Sequence, residues 1–295
     1  MQLLRVALLL VFVCLLVSAR LQAQKASCNF KIFALNPANL RNPESQSNGV
    51  NDNRTVVGIA TYYSDRYRYW AFVRLLNGTT TYWRPAGAVS SSFSARNNLG
   101  NTVGSYVDSS GIGHAVYLHG STITKIAHPK AAFNSTSLRA INKYNTILGT
   151  YSDLNQNQHI FKRYSNGSFA DIPNFPGATF TSPWALNDNG VIVGTYFLAS
   201  DPAGISHGFI YHDGTWAKLN YRNKRTNTEL TGISDSGVIV GNQLLNGFLY
   251  DKGVFKDIVG PNGESVRLSS ISPDGIITGD MRVSNGIRGF TAVCQ

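Results

Sequence analysis

A stretch of twelve residues, Ala185 to Tyr196, reads Ala-Leu-Asn-Asp-Asn-Gly-Val-Ile-Val-Gly-Thr-Tyr, and drifting copies of it return five more times along the chain. Aligned on the glycine after the β-branched run, the copies fall at Gly58, Gly104, Gly149, Gly194, Gly241 and Gly279, spaced 46, 45, 45, 47 and 38 residues apart. A period of this length argues against an ordinary single-core domain. Each unit is one supersecondary motif that buries its faces against its neighbours. A polar residue opens a turn in every copy: Asn51, Asn97, Asn142, Asn187, Ser234 or Ser272. Such side chains cap their own backbone. Three residues on stands Gly100, Asn145, Gly190, Gly237 or Gly275, with Arg54 breaking the column. Gly and Asn tolerate positive φ, so this column reads as the left-handed position of a tight hairpin.

A second hairpin follows. Its first strand opens with Trp70-Ala71-Phe72, His114-Ala115-Val116, His159-Ile160-Phe161, His207-Gly208-Phe209, Asn246-Gly247-Phe248 and Arg288-Gly289-Phe290. Its turn is Asn77-Gly78, His119-Gly120, Asn166-Gly167, Asp213-Gly214 or Lys252-Gly253. Asn-Gly and Asp-Gly between apolar runs are strong hairpin signals. Four short strands in about 45 residues match the blade of a propeller. The expected fold is therefore all-β, a six-bladed β-propeller. It forms one domain over 24–295, with repeats near 45–84, 91–127, 135–172, 181–220, 228–258 and 266–294.

The sixth copy stops one strand short, after Gly289-Phe290-Thr291-Ala292-Val293. At the other end, Asn29-Phe30-Lys31-Ile32-Phe33 resembles the missing fourth strand. The N-terminal strand, 28–34, is expected to complete the last blade and close the ring, which removes the exposed end. Cys28 and Cys294 then fall near the missing turn, where a disulfide replaces it. In the chain-entropy model, closing so long a loop stabilises by about 4 to 5 kcal/mol. Two unrelated free thiols are the alternative.

The chain begins with Arg5, an almost unbroken aliphatic run from Val6 to Val17, and small residues at Ser18, Ala19 and Ala23. This is the pattern of a secretory signal peptide over 1–23, cleaved after Ala19 or Ala23. The apolar run is short for a spanning helix. Cys14 lies inside that run, so Cys28 and Cys294 are the two cysteines left after cleavage, and cysteines of secreted chains tend to pair. Secretion to the exterior or the periplasm is expected, with no membrane association after cleavage. A charged fraction of only 14% with 28 glycines suits a turn-rich secreted β-protein. The formal charge of +10 is scattered, not gathered into a run. That disfavours nucleic acid; an anionic glycan or cell-envelope polymer is the fairer partner, and charge that serves solubility alone is the alternative. The chain is expected to act as a monomer.

The Leu186–Tyr196 repeat, the His207-Gly208-Phe209 triplet and Pro176-Gly177-Ala178 together resemble the HAF-repeat group of predicted bacterial extracellular proteins, over nearly the whole mature chain. The triplet departs at Trp70, Asn246 and Arg288. The resemblance implies a secreted repeat protein and brings no defined catalytic residues.

Propeller geometry puts the short Asn-Asp-Gly turns on one face and the longer, varied loops on the other. Variable loops on a rigid scaffold are where binding resides, so the long-loop face and the mouth of the central channel are the expected site. Candidates there are Tyr63, Arg66, Tyr67, Arg68 and Trp70 of an aromatic- and arginine-rich loop, and Trp184 near an innermost strand's start. Aromatic rings interleaved with Arg suit sugar stacking or an anionic polymer; rings packed on the next blade are the alternative. His114, His159 and His207 each follow an Asp by six residues: Asp108, Asp153 and Asp201. Three copies of one pair suggest loop-pinning hydrogen bonds more than a catalytic dyad or a convergent metal site. No cofactor motif, nucleophile elbow or zinc-cysteine pair is present. A binding module is the leading reading; a propeller glycan hydrolase or a purely structural surface protein is the alternative. A hydrolase needs paired carboxylates at the channel mouth, with Asp65, Asp201, Glu229 and Glu264 as candidates.

Overall fold

The computed structural model describes residues 24–35, 44–62, 65–202, 204–222, 227–284 and 286–295, with the side chains of 62–68 not described. Six antiparallel sheets follow one another as blades. Blade 1 consists of Glu44–Val50, Val56–Tyr62, Asp65–Arg74 and Thr80–Trp83; blade 2 of Ala88–Arg96, Thr102–Asp108, Gly113–His119 and Thr122–Lys125. Blade 3 consists of Ser137–Ile141, Ile147–Ser152, Gln158–Arg163 and Phe169–Ile172; blade 4 of Ala178–Leu186, Ile192–Leu198, His207–His212 and Thr215–Lys218. Blade 5 holds Glu229–Ile233, Ile239–Gln243, Asn246–Asp251 and Val254–Ile258. Blade 6 holds Val266–Ile271, Ile277–Val283 and Gly286–Cys294, completed by Cys28–Phe33. The first strand of each blade lines the central channel.

The N-terminal strand closes the ring as expected. Cys28 pairs with Cys294 and Phe33 with Gly289, and the two cysteines form a disulfide. Blade 5 departs from the expected four strands: Gln24–Lys25 adds a fifth, parallel to its outer strand. That short segment caps an edge that, among the described residues, no strand covers in the other blades, the usual liability of a propeller rim.

The core lies between blades, not inside them. One cluster joins Leu148 and Ile160 of blade 3 to Ile192, Tyr196 and Phe209 of blade 4, and five others bridge the remaining neighbours. At the closing seam, Phe33 and Ile276 of blade 6 pack with Val56 and Phe72 of blade 1. The repeat glycine has its reason here. Gly194 pairs with Phe209, and a Cβ at Gly194 would meet the Ser182 carbonyl at 2.2 Å and the Phe209 ring at 2.7 Å. The buried Phe209 ring lies against its partner glycine, and any side chain there would push the strands apart.

The turn column adopts positive φ throughout. Asn145 stands at 59° and, against its residue type, Arg54 stands at 56°. The polar residue opening each turn does more than cap. Asn97 Oδ1 accepts from the Asn101 N–H, while its Nδ2 donates to the Asn142 carbonyl of the next blade. Asn51, Asn142 and Asn187 reach forward in the same way, to the carbonyls of Asn97, Asn187 and Ser234. Ser234 and Ser272 cap their own turns but are too short to bridge. There Asp235 N–H donates to the Pro273 carbonyl, and Asp274 N–H to Asp52. A belt of hydrogen bonds thus stitches the short-turn face.

Candidate functional site at the channel mouth

Each inner strand carries a β-bulge, between Ser47 and Gly49, Phe93 and Ala95, Leu138 and Ala140, Pro183 and Ala185, Leu230 and Gly232, and Leu268 and Ser270. A bulge leaves one residue unpaired and re-aims its side chain. The six residues so placed are Asn48, Ser94, Arg139, Trp184, Thr231 and Ser269, and all line the channel. Their spacing repeats that of the glycine column, so the bulge is part of the blade design. The freed backbone groups find partners in the preceding blade. Asn242 accepts from Leu268 N–H and donates to the Leu268 carbonyl, both at 2.8 Å, and Asp280 accepts from Ser47 N–H at 2.9 Å.

On the short-turn side of this ring the channel closes down. Val50, Ile141, Leu186, Ile233 and Ile271 are buried, Arg96 fills the sixth place and bonds Thr102, and the free volume there is about 70 Å³. On the long-loop side the channel opens into a well of about 330 Å³, rimmed by Gln46, Ser92, Glu229 and Arg267. Such a volume falls at the small end of ligand sites. The well is polar around most of its wall and has one aromatic side.

Trp184 is 36% exposed, with the Arg139 guanidinium 4.9 Å from its ring centroid. Burial pushes the Arg139 pKa down, without removing the proton of a group that titrates so high. Arg139 Nε is buried and without a hydrogen-bond partner. Glu229 and Arg267 face each other at 3.7 Å across the rim. Of the expected residues, Trp184 and Glu229 are therefore brought to one cavity. Trp184 lies well inside strand Ala178–Leu186, not near its start, because the strand begins earlier than the repeat suggests. Arg139 and Arg267 were not singled out from sequence, although Arg139 stands one repeat before Trp184.

The other candidates sit elsewhere. His114, His159 and His207 contact Asp108, Asp153 and Asp201 at 2.8, 2.9 and 2.6 Å, each pair on its own blade. Asp108 also accepts from the Ser110 and Ile112 N–H groups, and Asp153 from those of Asn155 and Asn157. The hydrogen bond from His159, with those from the loop, holds Asp153 at about 2. Tyr106, Tyr151 and Tyr196 lie against the three imidazoles, with ring centroids 4.7, 4.9 and 5.1 Å apart. In blade 3 the stack extends to His128, a residue not singled out from sequence, whose ring lies 3.9 Å from Tyr151 and whose Nε2 lies 3.2 Å from Asp171. Burial pushes the His128 pKa down. Among the described residues no group of three His, Cys, Asp or Glu is placed to hold a metal.

Trp70 takes the histidine position in blade 1, opposite Ala60, and its ring is covered by Arg84 at 3.8 Å. Tyr63 lies outside the described residues, as do the side chains of Asp65, Arg66, Tyr67 and Arg68. Glu264 is engaged by Asn262 in its own loop. Among the described residues no helix is long and apolar enough to cross a membrane.

No family model matches the chain, and no curated protein does. Solved structures do. A structural-genomics protein provisionally named a gluconolactonase is 13% identical, with a TM-score of 0.54 over 93% of this chain and 96% of its own. The β-propeller domain of the Trilobed protease from Pyrococcus furiosus is 11% identical, with a TM-score of 0.52 over 85% of this chain and 83% of its own. At such identities the likeness is one of fold, and the chain is a six-bladed β-propeller. The Pyrococcus domain is described as having an open velcro topology; in this chain Cys28–Phe33 closes the last blade.

Proposed function

We propose that the protein is a secreted binding module whose ligand, a carbohydrate or an anionic envelope polymer, enters the channel from the long-loop face. The reading takes the chain as kin to the HAF-repeat proteins of the cell exterior. The observation that carries it is the composition of the well: an exposed indole, a half-buried guanidinium and a ring of amide and hydroxyl groups on six rigid strands. Aromatic faces and fixed polar groups suit sugar rings and their hydroxyls. The disulfide accords with an oxidising compartment. Glycoside hydrolysis needs two carboxylates flanking one bond. Among the described residues Glu229 is the one acid lining the well, and it is paired with Arg267. Binding is therefore favoured over cleavage.

A glycan array probed with the mature protein tests this. Binding to one glycan class, lost in Trp184→Ala with the melting temperature unchanged, is expected. A blank array, or hits that survive Trp184→Ala, would count against the site.

A further inference from the structure

The Arg139 guanidinium is a cation with nothing on the described chain to neutralise it. No carboxylate pairs with it, and only burial acts on its titration. Its Nε has no partner, whereas Arg267 across the well has Glu229. A half-buried, unpaired cation is stabilised by a ligand that supplies the missing charge. Arg139 is also held in place: it projects from a bulge in a rigid inner strand and lies against Trp184. A planar fork fixed in this way matches the two oxygens of a carboxylate. Below the ring, the collar leaves about 70 Å³, against about 330 Å³ in the well. A chain that enters from the long-loop face meets this narrowing end-on.

We infer that the well receives the end of an acidic polysaccharide, a terminal uronic-acid residue whose carboxylate pairs with Arg139 beside the exposed part of Trp184. The sugar hydroxyls then meet Asn48, Ser94 and Thr231 around the ring. The inference rests on the carbohydrate reading given above and narrows it to one chemistry and one mode of entry.

Isothermal titration of the mature protein with glucuronate, its methyl ester, glucose and glucose 6-sulfate tests the chemistry. A series of uronate oligomers of rising length tests the mode of entry. Glucuronate is expected to bind about tenfold or more tightly than the ester or glucose, the worth of one charge-assisted pair. Arg139→Gln should erase that preference, and Arg139→Lys should keep part of it. Affinity per chain should stay level as the oligomer lengthens. Equal binding of acid and ester, a preference that survives in Arg139→Gln, a preference for the sulfate, or affinity that grows in proportion to chain length would each overturn the inference. Tight binding of neutral sugars alone would overturn it and leave the carbohydrate reading standing. Binding of no sugar at all would remove both.

Discussion

Asp280 is an acid in the place that an amide, Asn242, takes in blade 5. It follows the repeat glycine of blade 6, as Asn242 does in blade 5. Asn242 makes two hydrogen bonds to the bulge of the next blade, whereas Asp280 makes one, accepting from Ser47 N–H across the closing seam. A neutral carboxylic acid has a proton to give the Ser47 carbonyl; a carboxylate has none. Burial raises the Asp280 carboxyl to about 7, against the opposing pull of the Ser47 N–H and Arg267. Below about pH 4 the group is protonated in both folded and unfolded chains and has no pH-dependent effect. Between pH 4 and 7 the unfolded chain releases the proton while the folded chain holds it, so stability falls as pH rises. Above 7 both are ionised and the loss is constant. The gap from the ordinary 3.8 to about 7 corresponds to about 4 kcal/mol. Asp280→Asn should therefore gain on the wild type by about 4 kcal/mol as pH rises from 4 to 8, nearly all of it below 7. Urea unfolding of both proteins at several pH values measures it. A difference independent of pH, or a wild type that gains on the variant at pH 8, would refute the reasoning.

Three further outcomes follow from the same contacts. Replacing Cys28 and Cys294 by Ser should cost roughly 5 kcal/mol of unfolding free energy, since the bridge spans 266 residues; equal denaturation midpoints for variant and wild type would contradict the closure. Asn97→Ala removes a turn cap and an inter-blade bond at once, so a loss of about 2 kcal/mol in thermal or chemical unfolding is expected, and a loss under 0.5 kcal/mol would reduce the belt to decoration. His159→Ala should speed amide exchange in loop 153–158 and leave glycan binding intact; abolished binding would show the Asp–His pairs to be the site.

The blade was legible because the repeat states its own length. Six glycines set the count, and the unfinished sixth copy with Phe30 and Phe33 at the other end set the closure. Glu229 and Trp184 were legible as residues near the channel. Arg139 was not, because a reading of alternation places side chains by period two, and the bulge at Leu138/Ala140 breaks that period where the channel is lined. The column itself held a signal: Arg139 and Trp184 stand 45 residues apart, in the register of the repeat. Asn97 and Asn142 read as caps because capping is local; their forward bonds depend on how blades are rotated, which no single repeat reveals. The short Gln24–Lys25 strand carries too little pattern to be seen in sequence at all.

The central claim is that ligand sits in the well on the bulge ring. A crystal structure of the mature protein with the best-binding array glycan tests it most directly. Sugar density between Trp184 and Arg139, above the collar of Ile141, Leu186 and Ile233, is the expected result. Density confined to the His114, His159 or His207 loops, or to the outer edges of the blades, with the well filled by water alone, would contradict it.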